Sequence, residues 1–173
     1  MHEPRKGEPI RDQENTMNVE PTPASKTENL RVLVVDDDPD MRGYLRSCLG
    51  RLGVVAANVA EAADGAEALE VVRRIRPDLV ISDVVMRGVG GVALARALAE
   101  APETRDIRVL LVTGSLSGLG EASAWAAESP ERMLLAKPFN AQGLNDALEG
   151  LLHPHPQTYT NAPDPRGRRD ERR

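Results

Sequence analysis

The sequence lacks the features that stabilise secreted proteins and anchor membrane proteins. Cysteine occurs once, at Cys48, so the chain cannot form an internal disulfide. No apolar run reaches the roughly 18 residues that a membrane-spanning helix requires. The first residues, MHEPRKGEPI, contain no apolar segment of the kind found in secretory signals. These absences predict a cytoplasmic protein without a membrane partner.

An excess of charge of one sign is also lacking. The 173 residues include 22 Lys and Arg against 27 Asp and Glu, and the resulting net charge of −5 is spread along the chain. Domains that bind nucleic acid usually carry a clustered basic surface, so we expect no nucleic-acid partner. The basic run RGRRDERR at residues 166–173 also contains two acidic residues and is typical of a solvated tail.

Proline is concentrated at the two ends of the sequence. Four of the 13 prolines lie in residues 1–29 and four in residues 153–173, and both segments lack periodic apolar residues. Such segments bury too little apolar surface to offset the entropy lost on ordering. We therefore predict disordered segments at 1–29 and 153–173 and one folded domain at 30–152. The last segment is too short to form the core of an output domain.

Between these ends, short apolar runs alternate with longer amphipathic stretches. This alternation predicts an α/β domain with an open, doubly wound parallel sheet and right-handed crossovers. The predicted strands are residues 31–35, 54–59, 78–82, 107–112 and 132–136. Their nearly continuous apolar character indicates strands that are covered on both faces.

Apolar stripes with helical spacing lie between and after the predicted strands. The clearest stripes run through residues 41–52, 69–75, 92–98 and 144–151. The fourth helix has a weaker signal, because Gly118 and Gly120 stand where it should begin, although residues 122–128 favour a helix. We expect a short, mobile element there.

Polar side chains follow four of the five predicted strands. Asp36 and Asp37 follow the first strand, Asp83 the third, Thr113 the fourth and Lys137 the fifth. In open α/β sheets, ligands bind beyond the carboxyl ends of the strands. If strands one and three are neighbours, three carboxylates converge, and their mutual repulsion requires a cation. Carboxylate ligands favour a hard divalent ion, and Mg²⁺ is the predicted cofactor.

The segments VLVVDDD, DLVISDVVM, LLVTGS and LLAKPF make residues 30–152 resemble the receiver domain of two-component response regulators. The resemblance implies a flavodoxin-like fold, with five parallel strands in the order 2-1-3-4-5 and five helices on both faces. It also implies that Asp83 accepts a phosphoryl group from a sensor histidine kinase or a histidine phosphotransfer protein. The domain would then signal by contact with another protein or by passing the phosphoryl group onward. Whether it forms a homodimer stays open.

The same resemblance gives each polar residue a role. Thr113 would hydrogen-bond a phosphoryl oxygen, Lys137 would be its cationic partner, and the Lys137-Pro138 peptide would be cis. The implied Mg²⁺ ligands are Asp36, Asp37, Asp83 and the backbone carbonyl of Val85. The chemistry needs these residue types, because an ionised carboxylate must attack phosphorus in line while cations neutralise the equatorial oxygens. Such a domain catalyses only its own phosphorylation and dephosphorylation.

Three positions depart from the usual family pattern. Arg87 stands where proline is usual, and Gly90 stands where an aspartate usually precedes a glycine. Leu134 replaces the Tyr or Phe that commonly acts as a rotameric switch three residues before the lysine. We expect the phosphorylation chemistry to survive, and we expect signal transmission to depend on the Gly-rich loop at 114–120 and on helix four.

Two other functions stay open at this point. The acidic run at 36–38 also fits the Asp-x-Asp motif of haloacid-dehalogenase-like phosphotransferases, with Asp36 as the nucleophile. That function leaves Asp83 without a role, and the acidic pair expected beyond the lysine is missing. A receiver-like binding module that signals without phosphorylation is suggested by the three departures above.

Overall fold

The computed structural model describes residues 27–153. The predicted disordered segments lie outside this range, except for residues 27–29 and 153. Residues 27–29 form a turn in which Thr27 Oγ1 donates a hydrogen bond to the Leu52 carbonyl oxygen at 3.0 Å. Asn58 Nδ2 donates to the Glu28 carbonyl oxygen at 2.8 Å. The chain is therefore tied to the folded domain from Thr27 onward.

Within the described residues, five strands alternate with five α-helices. The strands are β1 Val32–Val35, β2 Val59–Ala62, β3 Leu79–Asp83, β4 Arg108–Thr113 and β5 Arg132–Ala136. The α-helices are α1 Pro39–Arg51, α2 Gly65–Ile75, α3 Gly91–Glu100, α4 Leu116–Ala126 and α5 Ala141–Leu152. All strand pairs are parallel, and the order is β2-β1-β3-β4-β5. The predicted α/β fold and strand order are confirmed.

The sheet buries apolar side chains on both of its faces. Because successive side chains of a strand point to opposite faces, Leu33 and Val35 of β1 pack with α2, α3 and α4, whereas Val32 and Val34 pack with α1 and α5. The single cysteine, Cys48, is a buried free thiol in the α1–α5 layer. In this part of the chain, no helix combines the length and apolar character that crossing a bilayer would need.

Local sequence determines where α1 and α2 begin and end. The Asp38 side chain caps α1 by accepting a hydrogen bond from the Asp40 backbone N–H at 2.9 Å. Pro39 occupies the first turn, where a missing N–H costs nothing. α2 follows the capping residue Asp64 and ends at Ile75, and the next residue, Arg76, adopts a left-handed conformation with φ of 46°. The side chain of Asp38 and the ring of Pro39 thus define the start of α1.

The second strand lies further along the chain than the apolar pattern predicts. Of residues 54–59, only Val59 belongs to β2. Val54 is buried, Val55 is 48% exposed, and the next three residues form a 3-10 helix. β2 is an edge strand that pairs only with β1, so it tolerates Glu61 in its sequence. The predicted range is wrong because it assumes that every strand is covered on both faces.

The fourth helix is longer than the sequence predicts. α4 has 11 residues, as many as α2, and includes both Gly118 and Gly120. A Cβ at Gly118 would lie 2.4 Å from Val84 Cγ1, so the missing side chain lets the helix approach the loop after β3. The expectation of a short element is wrong because packing outweighs the low helix propensity of glycine. The mobility of this element stays a prediction.

Candidate functional site

The polar residues singled out in the sequence lie at the carboxyl edge of the sheet. Asp36 follows β1, Asp83 and Thr113 end β3 and β4, and Lys137 follows β5. Asp36 is 2% exposed, Asp83 8% and Thr113 3%, and Ser82 is the only other buried polar residue in the described chain. Burying polar groups is costly unless they are hydrogen-bonded or paired, so this concentration marks a candidate site.

Lys137 joins two of the three predicted carboxylates. Its Nζ donates to Asp83 Oδ1 at 2.7 Å and to Asp36 Oδ2 at 3.1 Å. The Lys137 side chain is 22% exposed, and both carboxylates are more buried than the lysine. One ammonium therefore offsets the repulsion between two carboxylates that share a site. The Lys137-Pro138 peptide is cis, which confirms that expectation.

Burial and pairing shift the pKa values of two members of this cluster. Burial raises the pKa of Asp36, although the Asp38 N–H and the Lys137 ammonium favour its charged form. Burial opposes the charge on Lys137, but the hydrogen bonds to Asp83 and Asp36 outweigh burial and raise the pKa of Lys137. Lys137 consequently stays positively charged at neutral pH and remains available to an anionic group.

The Asp83 carboxylate is fixed by donors to both of its oxygens. Oδ1 accepts a hydrogen bond from Lys137 Nζ, and Oδ2 accepts one from the Val85 backbone N–H at 2.8 Å. Val85 itself is 51% exposed, so the loop beside the carboxylate faces solvent. A carboxylate held in one orientation next to solvent can act as a nucleophile toward a group brought from outside.

Asp37 pairs with a different cation. Its Oδ2 accepts hydrogen bonds from Arg87 Nε at 3.2 Å and from the Arg87 backbone N–H at 3.3 Å. Across residues 27–153, no group of three or more His, Cys, Asp or Glu side chains is arranged as a metal cage. The structure thus joins Asp36 and Asp83 at Lys137 and holds Asp37 with Arg87, a looser arrangement than the predicted convergence of three carboxylates.

The donor set of this cluster nevertheless fits a hard divalent cation. Mg²⁺ usually takes one or two protein carboxylates and retains several waters, so it needs no closed protein cage. The three carboxylates of Asp36, Asp37 and Asp83 face two cationic side chains, Lys137 and Arg87. The carboxyl groups therefore outnumber the cationic side chains that pair with them, and this excess favours binding of a cation.

Thr113 is placed where β4 turns toward α4. Its hydroxyl donates to the Ser115 carbonyl oxygen at 3.2 Å and accepts a hydrogen bond from the Ser115 N–H at 3.2 Å. The Lys137 N–H donates to the Thr113 carbonyl oxygen at 2.7 Å, which joins this turn to the lysine. The threonine and the lysine are thus held side by side at the end of the sheet.

Arg42 is a residue of this region that the sequence analysis missed. Its Nη1 donates to the Asp36 carbonyl oxygen at 2.7 Å, and its Nε donates to Glu61 at 3.1 Å. The side chain is 18% exposed and fixes the backbone of Asp36 between α1 and β2. The position of Arg42 in the first turns of α1 is a sequence signal for a contact at this edge of the sheet. Its partner Glu61 lies in β2, and the predicted range of that strand does not include Glu61.

Comparison with known proteins supports the architecture and identifies relatives. Residues 32–149 match the family model of the response regulator receiver domain. The chain is 32% identical over 123 residues to chemotaxis protein CheY of Pseudomonas aeruginosa, with 71% of this chain and 96% of that protein covered. It is also 32% identical over 130 residues to sensor histidine kinase TmoS of Ectopseudomonas mendocina, but these residues span 75% of this chain and only 13% of the kinase.

A solved structure of a response regulator has the same fold as this chain. Response regulator protein TrrA from Thermotoga maritima, solved in complex with Mg²⁺-BeF, matches with a TM-score of 0.60 at 30% identity. The match covers 70% of this chain and 98% of that chain. The shared segment therefore coincides with the sheet and its helices, and the chain belongs to the response regulator receiver domain family.

Proposed function

We propose that this chain is the phosphoacceptor of a two-component or phosphorelay system. Asp83 takes a phosphoryl group from a phosphohistidine of a sensor histidine kinase or a histidine phosphotransfer protein. The observation that carries the proposal is the Asp83 carboxylate, with both oxygens hydrogen-bonded, to Lys137 and Val85, beside a solvent-facing loop. A carboxylate held in one orientation beside a solvent-facing loop suits the nucleophile that this transfer requires.

The transfer forms one bond and breaks one bond. A carboxylate oxygen of Asp83 bonds to phosphorus in line, the N–P bond of the phosphohistidine breaks, and the imidazole leaves with the bonding electrons and takes up a proton. Lys137 neutralises charge on the transferred group. The hydroxyl of Thr113 turns from Ser115 and donates to a phosphoryl oxygen. The product is an acyl phosphate on Asp83.

Asp36, Asp37, Asp83 and the backbone carbonyl of Val85 would hold Mg²⁺. The bound cation would neutralise the equatorial phosphoryl oxygens. Support comes from the carboxylate donor set and from the relative TrrA, which was solved with Mg²⁺-BeF. Arg42 positions Asp36 for this role, because its guanidinium holds the Asp36 carbonyl oxygen. In this proposal the chain catalyses only its own phosphorylation and dephosphorylation and signals by contact or onward transfer.

Intact-mass measurement after incubation with acetyl phosphate and Mg²⁺ tests the proposal. We expect a single phosphoryl adduct on the wild-type protein and none on Asp83→Asn. Asp38→Asn is the matched control, because it removes a neighbouring acidic charge and retains a side chain able to cap α1. The control should form the adduct as the wild-type protein does. Adduct formation that is equally fast in excess EDTA would contradict the role of Mg²⁺.

The same experiment separates the two alternative functions. An adduct that persists in Asp83→Asn and disappears in Asp36→Asn would identify a haloacid-dehalogenase-like phosphotransferase. If no variant and no wild-type sample forms an adduct with acetyl phosphate or a phosphohistidine donor, the chain is a receiver-like binding module that signals without phosphorylation.

A further inference from the structure

The loop between β3 and α3 places a positive charge on one of the proposed metal ligands. Arg87 contacts Asp37 Oδ2 twice, through its guanidinium Nε at 3.2 Å and through its backbone N–H at 3.3 Å. The proline that is usual at this position of the family has neither donor. Both contacts are therefore a property of this chain's own sequence.

The backbone of this loop packs against the start of α2, whereas the Arg87 side chain is largely exposed to solvent. Gly88 adopts a φ of 76°, which favours glycine, and the Gly65 N–H donates to the Val89 carbonyl oxygen at 3.0 Å. A Cβ at Gly65 would lie 2.6 Å from Val89 Cγ1, so the loop packs closely on the start of α2. The Arg87 side chain is 88% exposed, and it can therefore move into water without disturbing this packing.

Arg87 and a divalent cation compete for the same carboxylate. A cation that binds Asp37 lies close to the guanidinium, and the two positive charges repel each other. We propose that Arg87 is a built-in counter-cation of Asp37, which a divalent cation must displace before Asp83 can be phosphorylated. The inference rests on the proposed function, since it describes the regulation of the same site.

The competition lowers the affinity of the site for Mg²⁺ but does not prevent Mg²⁺ from binding. Exposed ion pairs are weak, so the displacement should weaken Mg²⁺ binding by only about twofold to fivefold. The Asp36 and Asp83 carboxylates are paired with a different cation, Lys137. Arg87 therefore acts on the Asp37 side of the site, and its loss should leave the Lys137 contacts in place.

Titration of the full chain with Mg²⁺, followed by amide chemical shifts, tests this inference. The variants are Arg87→Met, which retains the side-chain length without the charge, and the matched control Arg73→Met. Arg73 pairs with Glu70 at 2.7 Å on the exposed surface of α2, so the control removes an equal charge from an exposed ion pair outside the site. We expect Arg87→Met to bind Mg²⁺ about twofold to fivefold more tightly than the wild-type protein. Arg73→Met should bind it as the wild-type protein does.

Equal affinities in the wild-type protein and Arg87→Met would overturn the inference. An equal gain in Arg73→Met would also overturn it, because net charge would then explain the effect, and so would the absence of Mg²⁺ binding in both proteins. The phosphoryl adduct at saturating Mg²⁺ reports on the proposed function separately. Wild-type protein and Arg87→Met should both carry the adduct, and the Mg²⁺ concentration that gives half-maximal adduct formation should be lower for the variant. Absence of the adduct from both proteins would count against the phosphoacceptor function.

Discussion

Gly118 illustrates how one missing side chain positions a helix beside the site. A Cβ at this position would lie 2.4 Å from Val84 Cγ1 and 3.5 Å from Val85 Cγ2. Both valines directly follow Asp83, so α4 rests on the segment that carries the proposed phosphoacceptor. Gly120 lies two residues further along the same helix and has nothing within 4 Å of the position of a Cβ.

Replacing Gly118 with alanine should lower the free energy of unfolding. Overpacking of a tight contact costs about 1–3 kcal/mol, and the better helix propensity of alanine returns at most about 1 kcal/mol. Gly120→Ala is the matched variant and should raise the free energy of unfolding by up to about 1 kcal/mol, because it gains propensity without a clash. Urea unfolding of both variants measures the difference. Equal stability of the two variants would contradict the close approach.

The residues of the site differ in how far the sequence could predict them. Asp83, Thr113 and Lys137 stand directly at the ends of apolar strands, so the sheet architecture brings them to one edge. The pairings of Arg42 with the Asp36 backbone and of Arg87 with Asp37 depend on how side chains meet across elements. Hydrophobic periodicity carries no information about such contacts, and only the structure locates them.

At the scale of elements, an ion pair joins the amino ends of β1 and β3. The Arg31 backbone N–H, Nε and Nη2 donate to the Asp78 carboxylate at 2.9, 3.2 and 3.0 Å. Arg31 Nη1 also donates to the Ile75 carbonyl oxygen at 2.9 Å. The hydrogen bond from the Arg31 side chain lowers the pKa of Asp78, although burial opposes this shift.

Asp78→Asn should change how stability depends on pH. A carboxyl whose pKa is lower in the folded state contributes stability above its unfolded pKa of about 3.9, and this contribution is lost as pH falls through the folded pKa. The difference in the free energy of unfolding between wild-type protein and Asp78→Asn should therefore shrink as the pH is lowered from neutral. The effect should be small because the pair is partly exposed.

Chemical unfolding across this pH range measures the Asp78 contribution. Asp106→Asn is a suitable control, because the Asp106 contact with Arg105 is 3.9 Å long and its side chain is 95% exposed. The control should show little difference from the wild-type protein at any pH. A loss in Asp78→Asn that stays constant as the pH falls would show that the pair does not act through ionisation of Asp78.

The elements were predictable where the apolar pattern and the tertiary environment agree. β5 matches its predicted range, and β1, β3 and β4 match to within about one residue at each end. β2 differs because an edge strand with a single neighbour can contain Glu61. α4 differs because the contact between Gly118 and Val84 is tertiary, and local propensity cannot report it.

At the scale of the whole molecule, helices α2, α3 and α4 form one layer against the sheet, and Trp125 of α4 is buried in that layer. The indole is 2% exposed, and the Arg132 guanidinium lies 4.8 Å from its ring centre. Within the described chain, the indole Nε1 is buried without a hydrogen-bond partner. Leu134 packs against the same layer in place of the usual aromatic switch. The predicted Gly-rich loop at 114–120 belongs to α4 from Leu116 onward, so a signal from Thr113 would reach this layer through residues 114–115 and α4.

Beryllofluoride with Mg²⁺, a mimic of the phosphoryl group, should change the fluorescence of Trp125 and the amide exchange of residues 114–128. The physical reason is that Thr113 must turn toward the bound group, and Gly114 in the connection between β4 and α4 lowers the cost of following it. Asp83→Asn should show neither change. If the Trp125 fluorescence and the amide exchange of residues 114–128 both stay unchanged while other segments change, α4 does not transmit the signal.

The most direct measurement locates the phosphoryl group within the chain. The full-length protein is phosphorylated with acetyl phosphate and Mg²⁺ and then treated with borohydride, which reduces an acyl phosphate to the alcohol and so converts the modified aspartate to homoserine. Peptide fragmentation by mass spectrometry then identifies the converted residue. We expect homoserine at position 83 and unmodified aspartates at 36 and 37. Homoserine at position 36, with Asp83 unmodified, would contradict the assignment of Asp83 as the phosphoacceptor.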